Sequence, residues 1–304
     1  MKYKKVLLFY NPFAGDGIFS NYLDKITEAF REKHMLLILL RANGEGLLDD
    51  FFEHEDMETY DRILVAGGDG TINIVVAAMV KHDVHVPLAL FPVGTANDLS
   101  HYFDYPEHMS ELTEIARNDK YTYMDVGTVN GRTFVNVLAM GMLVDVSQKT
   151  DPNMKNTLGV MAYYLRGLAE VPKLKPIPIK ITTPEFEKKV KMYAMLVMNG
   201  RSAGGFRRAA PGAVINDGLF DVIVFEDMPV VTIAPLLLEV LTGQHTENKN
   251  VMYFKTNSLQ IESTEEVSTD VDGEEGESLP LDIKMLHNRL KIVTQYDNME
   301  GNVW

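Results

Sequence analysis

The chain has no cysteine in 304 residues. That excludes a disulfide framework, a thiolate metal site and a cysteine nucleophile, and it suits a reducing compartment. No apolar run approaches the roughly 20 residues that a helix needs to cross a bilayer, so no transmembrane segment is expected. Positive charge is in deficit: 29 Lys and Arg stand against 43 Asp and Glu, a formal net charge of −14. Such a chain is a poor binder of polyanions, so nucleic acid is not expected as a partner. The same sign opposes general adsorption to anionic lipid and confines any membrane contact to a local, peripheral patch. Met1-Lys2-Tyr3-Lys4-Lys5 is basic, but the apolar run behind it stops at Asn11-Pro12 and reads as a first strand, not a signal peptide. A cytoplasmic protein is the expectation. Internal repeats and low-complexity tracts are missing, and the eight histidines show no metal spacing such as His-Glu-x-x-His.

What is present divides in two. The length suits two domains, and the composition is that of a globular protein. In the first part, short apolar strands alternate with helical periodicity. Val6–Tyr10, Met35–Leu40, Ile63–Ala66 and Pro87–Phe91 are the strands; Ile18–Arg31, Leu47–Phe52 and Ile72–Val80 are the helices. This alternation predicts an α/β domain with an open, mostly parallel sheet flanked by helices. From about Gly127 the pattern turns to period two. Thr133–Ala139, Ile177–Thr182, Lys191–Met198, Leu219–Phe225, Met252–Phe254, Ser258–Glu262, Leu281–Met285 and Leu290–Val293 read as strands. Two helices, Leu158–Glu170 and Val230–Thr242, interrupt them. The expectation is a mainly antiparallel β-sandwich over 128–304 after an α/β nucleotide-binding domain over 1–127, with about the last 15 residues able to return to the first domain.

The chemistry gathers in turns that leave the apolar strands. Ile63-Leu64-Val65-Ala66 runs into Gly67-Gly68-Asp69-Gly70-Thr71-x-Asn73 and then a helix. Glycines let backbone N–H groups crowd around an anion, and a helix start adds partial positive charge. Asp69 would repel a bare phosphate, but it favours one bridged by Mg²⁺, a hard cation that takes oxygen ligands. Asn11 to Gly17 and Gly94 to Asp98 leave two further strands in the same manner. Any one of these is also what a tight βα turn looks like; three on one sheet edge point to a phosphate site.

Asn11-Pro12-Phe13-Ala14-Gly15, Gly67 to Asn73 and Pro92-x-Gly94-Thr95-Ala96-Asn97-Asp98 together resemble the nucleotide-site motifs of the diacylglycerol kinase-type lipid kinases, in their soluble bacterial branch. Downstream, Gly204-Gly205-Phe206-Arg207, Pro211-x-Ala213-x-x-x-Asp217-Gly218-x-Phe220-Asp221 and Asp270-x-Asp272-Gly273-Glu274 resemble that family's later motifs, in order over nearly the whole chain. The Gly-Gly-Asp-Gly-Thr element by itself is shared with NAD kinases.

The resemblance implies an ATP- and Mg²⁺-dependent kinase of two domains with its cleft between them, acting on a lipid hydroxyl at a membrane surface. No Walker-type loop is present. ATP would lie across the three turns, with Asn11, Thr71 and Thr95 assisting the backbone, Arg41 as a further contact, Asp69 linked to the metal and Asp98 second to it. The family pattern places the catalytic base at Asp272 or Glu274; Asp272-Gly273 is equally good hairpin-turn chemistry. It also implies a structural metal on Asp217 and the carbonyls of Val214 and Leu219, where Asn216-Asp217-Gly218 is again favourable turn chemistry.

The chain departs from the pattern at Ile74, where many members carry Glu, at His101, where Arg is common, and at Asp16, where Lys is common. Leu158–Ala169 and Pro235–Leu241 are apolar surfaces that could dip into a membrane or simply pack in the core. A kinase of a soluble hydroxyl, NAD-kinase-like, and a catalytically weak nucleotide or lipid sensor remain alternatives, and a homodimer stays open.

Overall fold

The computed structural model describes residues 3–42, 46–149, 175–204 and 206–296. They form two units: 1–126 with 287–304, and 127–286. The expected helix at Leu158–Glu170 lies outside the described residues.

The first unit is an α/β layer structure. Its strands are β1 (Lys4–Tyr10), β2 (Met35–Arg41), β3 (Tyr60–Gly67) and β4 (Leu88–Pro92), ordered β2-β1-β3-β4 and all parallel. The end of the long strand β15 (Leu281–Val293) adds to the open edge, with Ile292 beside Leu88. The continuous apolar runs of β1, β3 and β4 are explained by burial on both faces; the edge strand β2 is apolar too but partly bare, with Leu36 and Leu39 exposed. On one face Val6, Leu8, Leu64 and Phe91 pack with Ile26 and Phe30 of α1 (Leu23–Glu32) and with Leu112 of α5 (Met109–Ala116). On the other, Phe9 meets Phe51 and Phe52 of α2 (Leu47–His54) edge-on, at 5.9 and 5.6 Å between ring centroids. The helix α3 (Asp69–Lys81) follows β3, and the short α4 (Asp98–Tyr102) follows β4.

One buried cation anchors this unit. Arg62 is 4% exposed and donates to the carbonyls of Ala116 and Asn118 at 2.8 and 2.5 Å, and to Asp61 and Asp119. Arg62→Met leaves those carbonyls without donors while keeping the volume. We expect it to lower the stability of the protein by roughly 3 kcal/mol, measured by urea unfolding.

The second unit is mainly antiparallel. The strand β9 (Glu187–Met198) organises it. Its first half pairs with β8 (Ile177–Thr182); its second half lies between β7 (Val137–Gly141) and β10 (Phe220–Glu226). Beyond these lie β11 (Val251–Thr256) on β10, β12 (Ser258–Ser263) on β8, and the hairpin of β13 (Thr269–Val271) and β14 (Glu274–Glu275) on β7. Alternate residues go to two cores. Met195 and Val197 join Phe220, Val222 and Val224 in one. Leu196 and Met198 join Ile223 and Phe225 in the other, under α7 (Ile233–Thr242). The helix α6 (Met142–Lys149) follows β7 directly.

Three expected strands differ. Thr133–Ala139 is broken into β6 (Arg132–Phe134) and β7, because the N–H groups of residues 135 to 137 turn to a side chain described below. Leu281–Met285 and Leu290–Val293 are one strand, carried through Asn288 at φ 52°. Among the described residues, no helix is long and apolar enough to cross a membrane.

Candidate active site

The carboxyl ends of β1, β3 and β4 lie on one edge, with Tyr10 beside Ala66 and Gly67 beside Pro92. The turns that leave them touch through positions where only glycine fits. A Cβ on Gly94 would lie 2.4 Å from the Gly68 Cα, and one on Gly15, at φ +56°, would lie 2.2 Å from the Val93 carbonyl oxygen. A Cβ on Gly70 would meet nothing within 4 Å, so this glycine is not demanded by packing. Asn97 shapes the third turn from a left-handed conformation: its Oδ1 accepts the Gly94 N–H at 2.9 Å, and its Nδ2 donates to the Gly94 carbonyl at 2.8 Å. Asn11 Oδ1 accepts the Phe13 N–H, and its Nδ2 lies 3.5 Å from the Thr71 hydroxyl. So Asn11, Gly15, Gly68, Thr71, Gly94 and Asn97 are brought together. Arg41, exposed, reaches only the Tyr10 hydroxyl at 3.3 Å among the contacts described. Thr95 is exposed; Asn73 is half-buried on α3; Asp98 opens α4.

Asp69 is the first residue of α3, where a carboxylate also complements the helix dipole. Burial pushes its carboxyl above the ordinary range, while the N–H groups of Leu99, Asn97 and Asp98 draw it back. Its Oδ1 is buried and has no hydrogen-bond partner among the described residues. An unmet carboxylate oxygen in a glycine turn suits a hard cation.

Asp272 and Gly273 are the two-residue loop of the β13–β14 hairpin, both at positive φ (53° and 91°), flanked by the pair Val271–Glu274. This is type I′ turn geometry. The Asp272 carboxylate turns back onto the break between β6 and β7. It accepts the N–H groups of Val135 (2.6 Å), Asn136 (3.0 Å) and Val137 (2.8 Å). Burial nonetheless outweighs these donors and raises its pKa to about 6, with Asp270 adding to the rise. Glu274 is exposed and pairs with Arg132 at 3.0 Å. Two residues that sequence reading passed over brace the bend. Asn136 donates to the Ser202 carbonyl and buried Asn199 to the Val135 carbonyl. Their one signal was an asparagine interrupting each of two apolar runs.

At the implied second metal, the Val214 carbonyl and the Asp217 carboxylate share one turn, but much of their charge and bonding is met. Asp217 Oδ1 accepts the Leu219 N–H at 3.0 Å, and the Val214 carbonyl accepts the Asp217 N–H at 3.3 Å. Lys255 donates to Asp217 Oδ2 and the Gly212 carbonyl, both at 3.0 Å, and lies 3.3 Å from Asp221. Burial raises the Asp221 carboxyl, while Tyr253 and Lys255 pull it down. Of the departures, Ile74 is 52% exposed and His101 is exposed.

The second unit also holds a small apolar pocket lined by Met142, Leu143, Tyr193, Phe225, Met228, Ile233, Leu236 and Leu237 among others.

The family model described as the diacylglycerol kinase catalytic domain matches residues 5–129, and that described as the YegS C-terminal NAD kinase beta sandwich-like domain matches residues 136–294. A diacylglycerol kinase of Bacillus subtilis (strain 168) is 28% identical over 301 residues, 98% of either chain. One from Staphylococcus haemolyticus (strain JCSC1435) is 29% identical over 293 residues, 95% of this chain and 88% of that one. A crystal structure of a diacylglycerol kinase from Bacillus anthracis str. Sterne superposes with a TM-score of 0.79 at 26% identity, covering 97% of this chain and 98% of that one. An α/β unit with glycine turns on one sheet edge, followed by a β-sandwich, makes this a kinase-type phosphotransferase. Within that class, the chain belongs to the diacylglycerol kinase-type lipid kinase family.

Proposed function

We propose that the protein transfers the γ-phosphoryl group of ATP to the hydroxyl of diacylglycerol or a related glycerolipid, with Mg²⁺. The observation that carries the reading is the unmet, buried Oδ1 of Asp69 inside turns that only glycine can form. Phosphoryl transfer rests on positioning and charge neutralisation more than on covalent chemistry. The turn N–H groups, with Asn11, Thr71 and Thr95, hold the phosphates. Asp69, with Asp98 beside it in role, would hold Mg²⁺, which supplies charge neutralisation at the phosphates. Asp272 accepts the proton of the lipid hydroxyl, its raised pKa suiting a base that works near neutral pH. Glu274 is second for that role. The lining of the small apolar pocket matches acyl-chain chemistry, and the pocket would have to widen to admit one. A structural ion at Asp217, Val214 and Leu219 would share Asp217 with Lys255. If it forms, Mg²⁺ raises the melting temperature of the parent but not of Asp217→Ala.

The test is labelled ATP against a panel of lipids and soluble alcohols, with and without Mg²⁺. Label in diacylglycerol supports the reading. Label only in a soluble hydroxyl such as NAD overturns it in favour of the second reading, which the NAD kinase-like sandwich makes the natural competitor. Two glycines sharpen the ATP assignment. Gly94→Ala drives a Cβ into the Gly68 backbone and should cost both stability, by roughly 1–3 kcal/mol, and ATP affinity. Gly70→Ala meets no protein atom. It should melt like the parent yet weaken ATP binding at least about tenfold, read by calorimetry.

A further inference from the structure

The helix α7 is apolar on both sides. Ile233, Leu236 and Val240 are buried, and Ile233, Leu236 and Leu237 wall the apolar pocket. The opposite stripe is bare: Leu238 is 56% and Leu241 42% exposed, and Val231, just before the helix, is 82% exposed. Leu238 and Leu241 are three residues apart and so share a face. The few polar side chains of this segment turn back to the chain. The Thr232 hydroxyl donates to the Pro229 carbonyl and the Thr242 hydroxyl to the Glu239 carbonyl. The Glu239 carboxylate accepts from Asn248 at 2.8 Å. A helix whose hydroxyls turn back to backbone carbonyls, whose carboxylate takes an internal donor, and whose outward side chains include two leucines, with a valine just before it, suits an apolar medium. Its carboxyl end carries more cations than anions: Arg208 reaches the Thr242 carbonyl, and Arg207 and Lys249 are exposed in the flanking turns beside a single exposed acid, Glu247, while Asp227 lies exposed at the other end. Cations at the rim of an apolar stripe match lipid phosphates beside acyl chains.

We propose that α7 beds into a lipid surface through Val231, Leu238 and Leu241, so that the helix walling the pocket is also the one that touches the membrane. The assignment of the pocket to an acyl chain rests on the function proposed above; the docking surface itself does not. In an acidic protein, insertion of this stripe supplies the attraction that net charge withholds.

The experiment uses the full chain and its L238E–L241E variant, with phosphatidylglycerol–phosphatidylcholine vesicles carrying diacylglycerol, and dispersed short-chain dioctanoylglycerol as a second acceptor. Both leucines are exposed, so the variant should melt with the parent. Vesicle co-sedimentation should fall about 100-fold, roughly tenfold for each leucine withdrawn from lipid. Phosphorylation of the dispersed acceptor should stay at the parental rate. Co-sedimentation of the variant like the parent, or no binding of the parent to vesicles, overturns the proposal. A parental dimer that the variant dissolves overturns it too, assigning the face to a second copy. If vesicle binding falls as expected but neither protein phosphorylates either acceptor, the docking surface stands and the kinase reading fails separately.

Discussion

Asp69→Asn is expected to lower the rate of phosphoryl transfer at least about 100-fold without lowering stability. The two halves of that expectation come from the two sides of one carboxylate. One side faces the N–H groups of Leu99, Asn97 and Asp98; the other, Oδ1, is buried and unmet. An asparagine keeps the acceptor toward those N–H groups and sets its amide where Oδ1 was, so the turn is preserved. What disappears is a charge that burial disfavours. The folded carboxyl is raised above its unfolded value, so the folded protein holds the proton more tightly. The stability from this group is present at low pH and is lost as pH rises through the folded pKa. At neutral pH the exchange should therefore leave the melting temperature equal to the parent's or higher. Activity moves the other way, because a neutral amide is a poor ligand for Mg²⁺. Steady-state rates across Mg²⁺ concentrations check this. A variant within threefold of the parent would remove Asp69 from the metal role.

That opposition between stability and activity explains why the first unit was so legible in the amino-acid sequence. Buried parallel strands must be apolar on both faces, so Val6–Tyr10 and Ile63–Ala66 announce themselves. The glycines are equally plain, since Gly15 and Gly94 sit where a Cβ would strike backbone. The short helices α4 and α5 were not foreseen: five and eight residues give little periodicity to read. In the second unit the difficulty was different. A period-two pattern assumes an unbroken ladder, and the ladder is broken at Val135–Asn136 by a carboxylate 136 residues further on. Nothing local in Thr133–Ala139 encodes that. The run Glu262–Glu277 is acidic and carries no apolar periodicity to announce structure, yet it contains a hairpin whose half-buried turn residue is held against the β6–β7 break. Nor could charge counting find Lys255, which stands opposite Asp221 only once β10 and β11 pair.

The same turn residue carries the second large effect. Asp272→Asn is expected to reduce phosphoryl transfer at least about 100-fold and to abolish the acid limb of its pH dependence. With the carboxyl titrating at about 6, kcat/KM of the parent should fall below that pH as the base takes up a proton. Folding should hold, because Asn-Gly is as good a type I′ pair as Asp-Gly. The amide can still accept from Asn136 and Val137, but it turns a donor toward the Val135 N–H, now left unmet. Against that loss stands the removal of a costly buried charge, so the melting temperature near neutral pH should move little. The pH dependence of stability separates the two effects. An ordinary aspartate titrates near 3.8 and this one at about 6, so the folded state binds the proton more tightly. Between those values parental stability should decline as pH rises, by roughly 2–3 kcal/mol from this group, and the variant should lack that decline. Urea unfolding at pH 4 and pH 7 reads it without any assay of activity. An Asp272→Asn protein that lost the stability slope but kept the parental acid limb would show Asp272 to be a buried turn residue only. The base would then have to be sought elsewhere, with Glu274 and its partner Arg132 first.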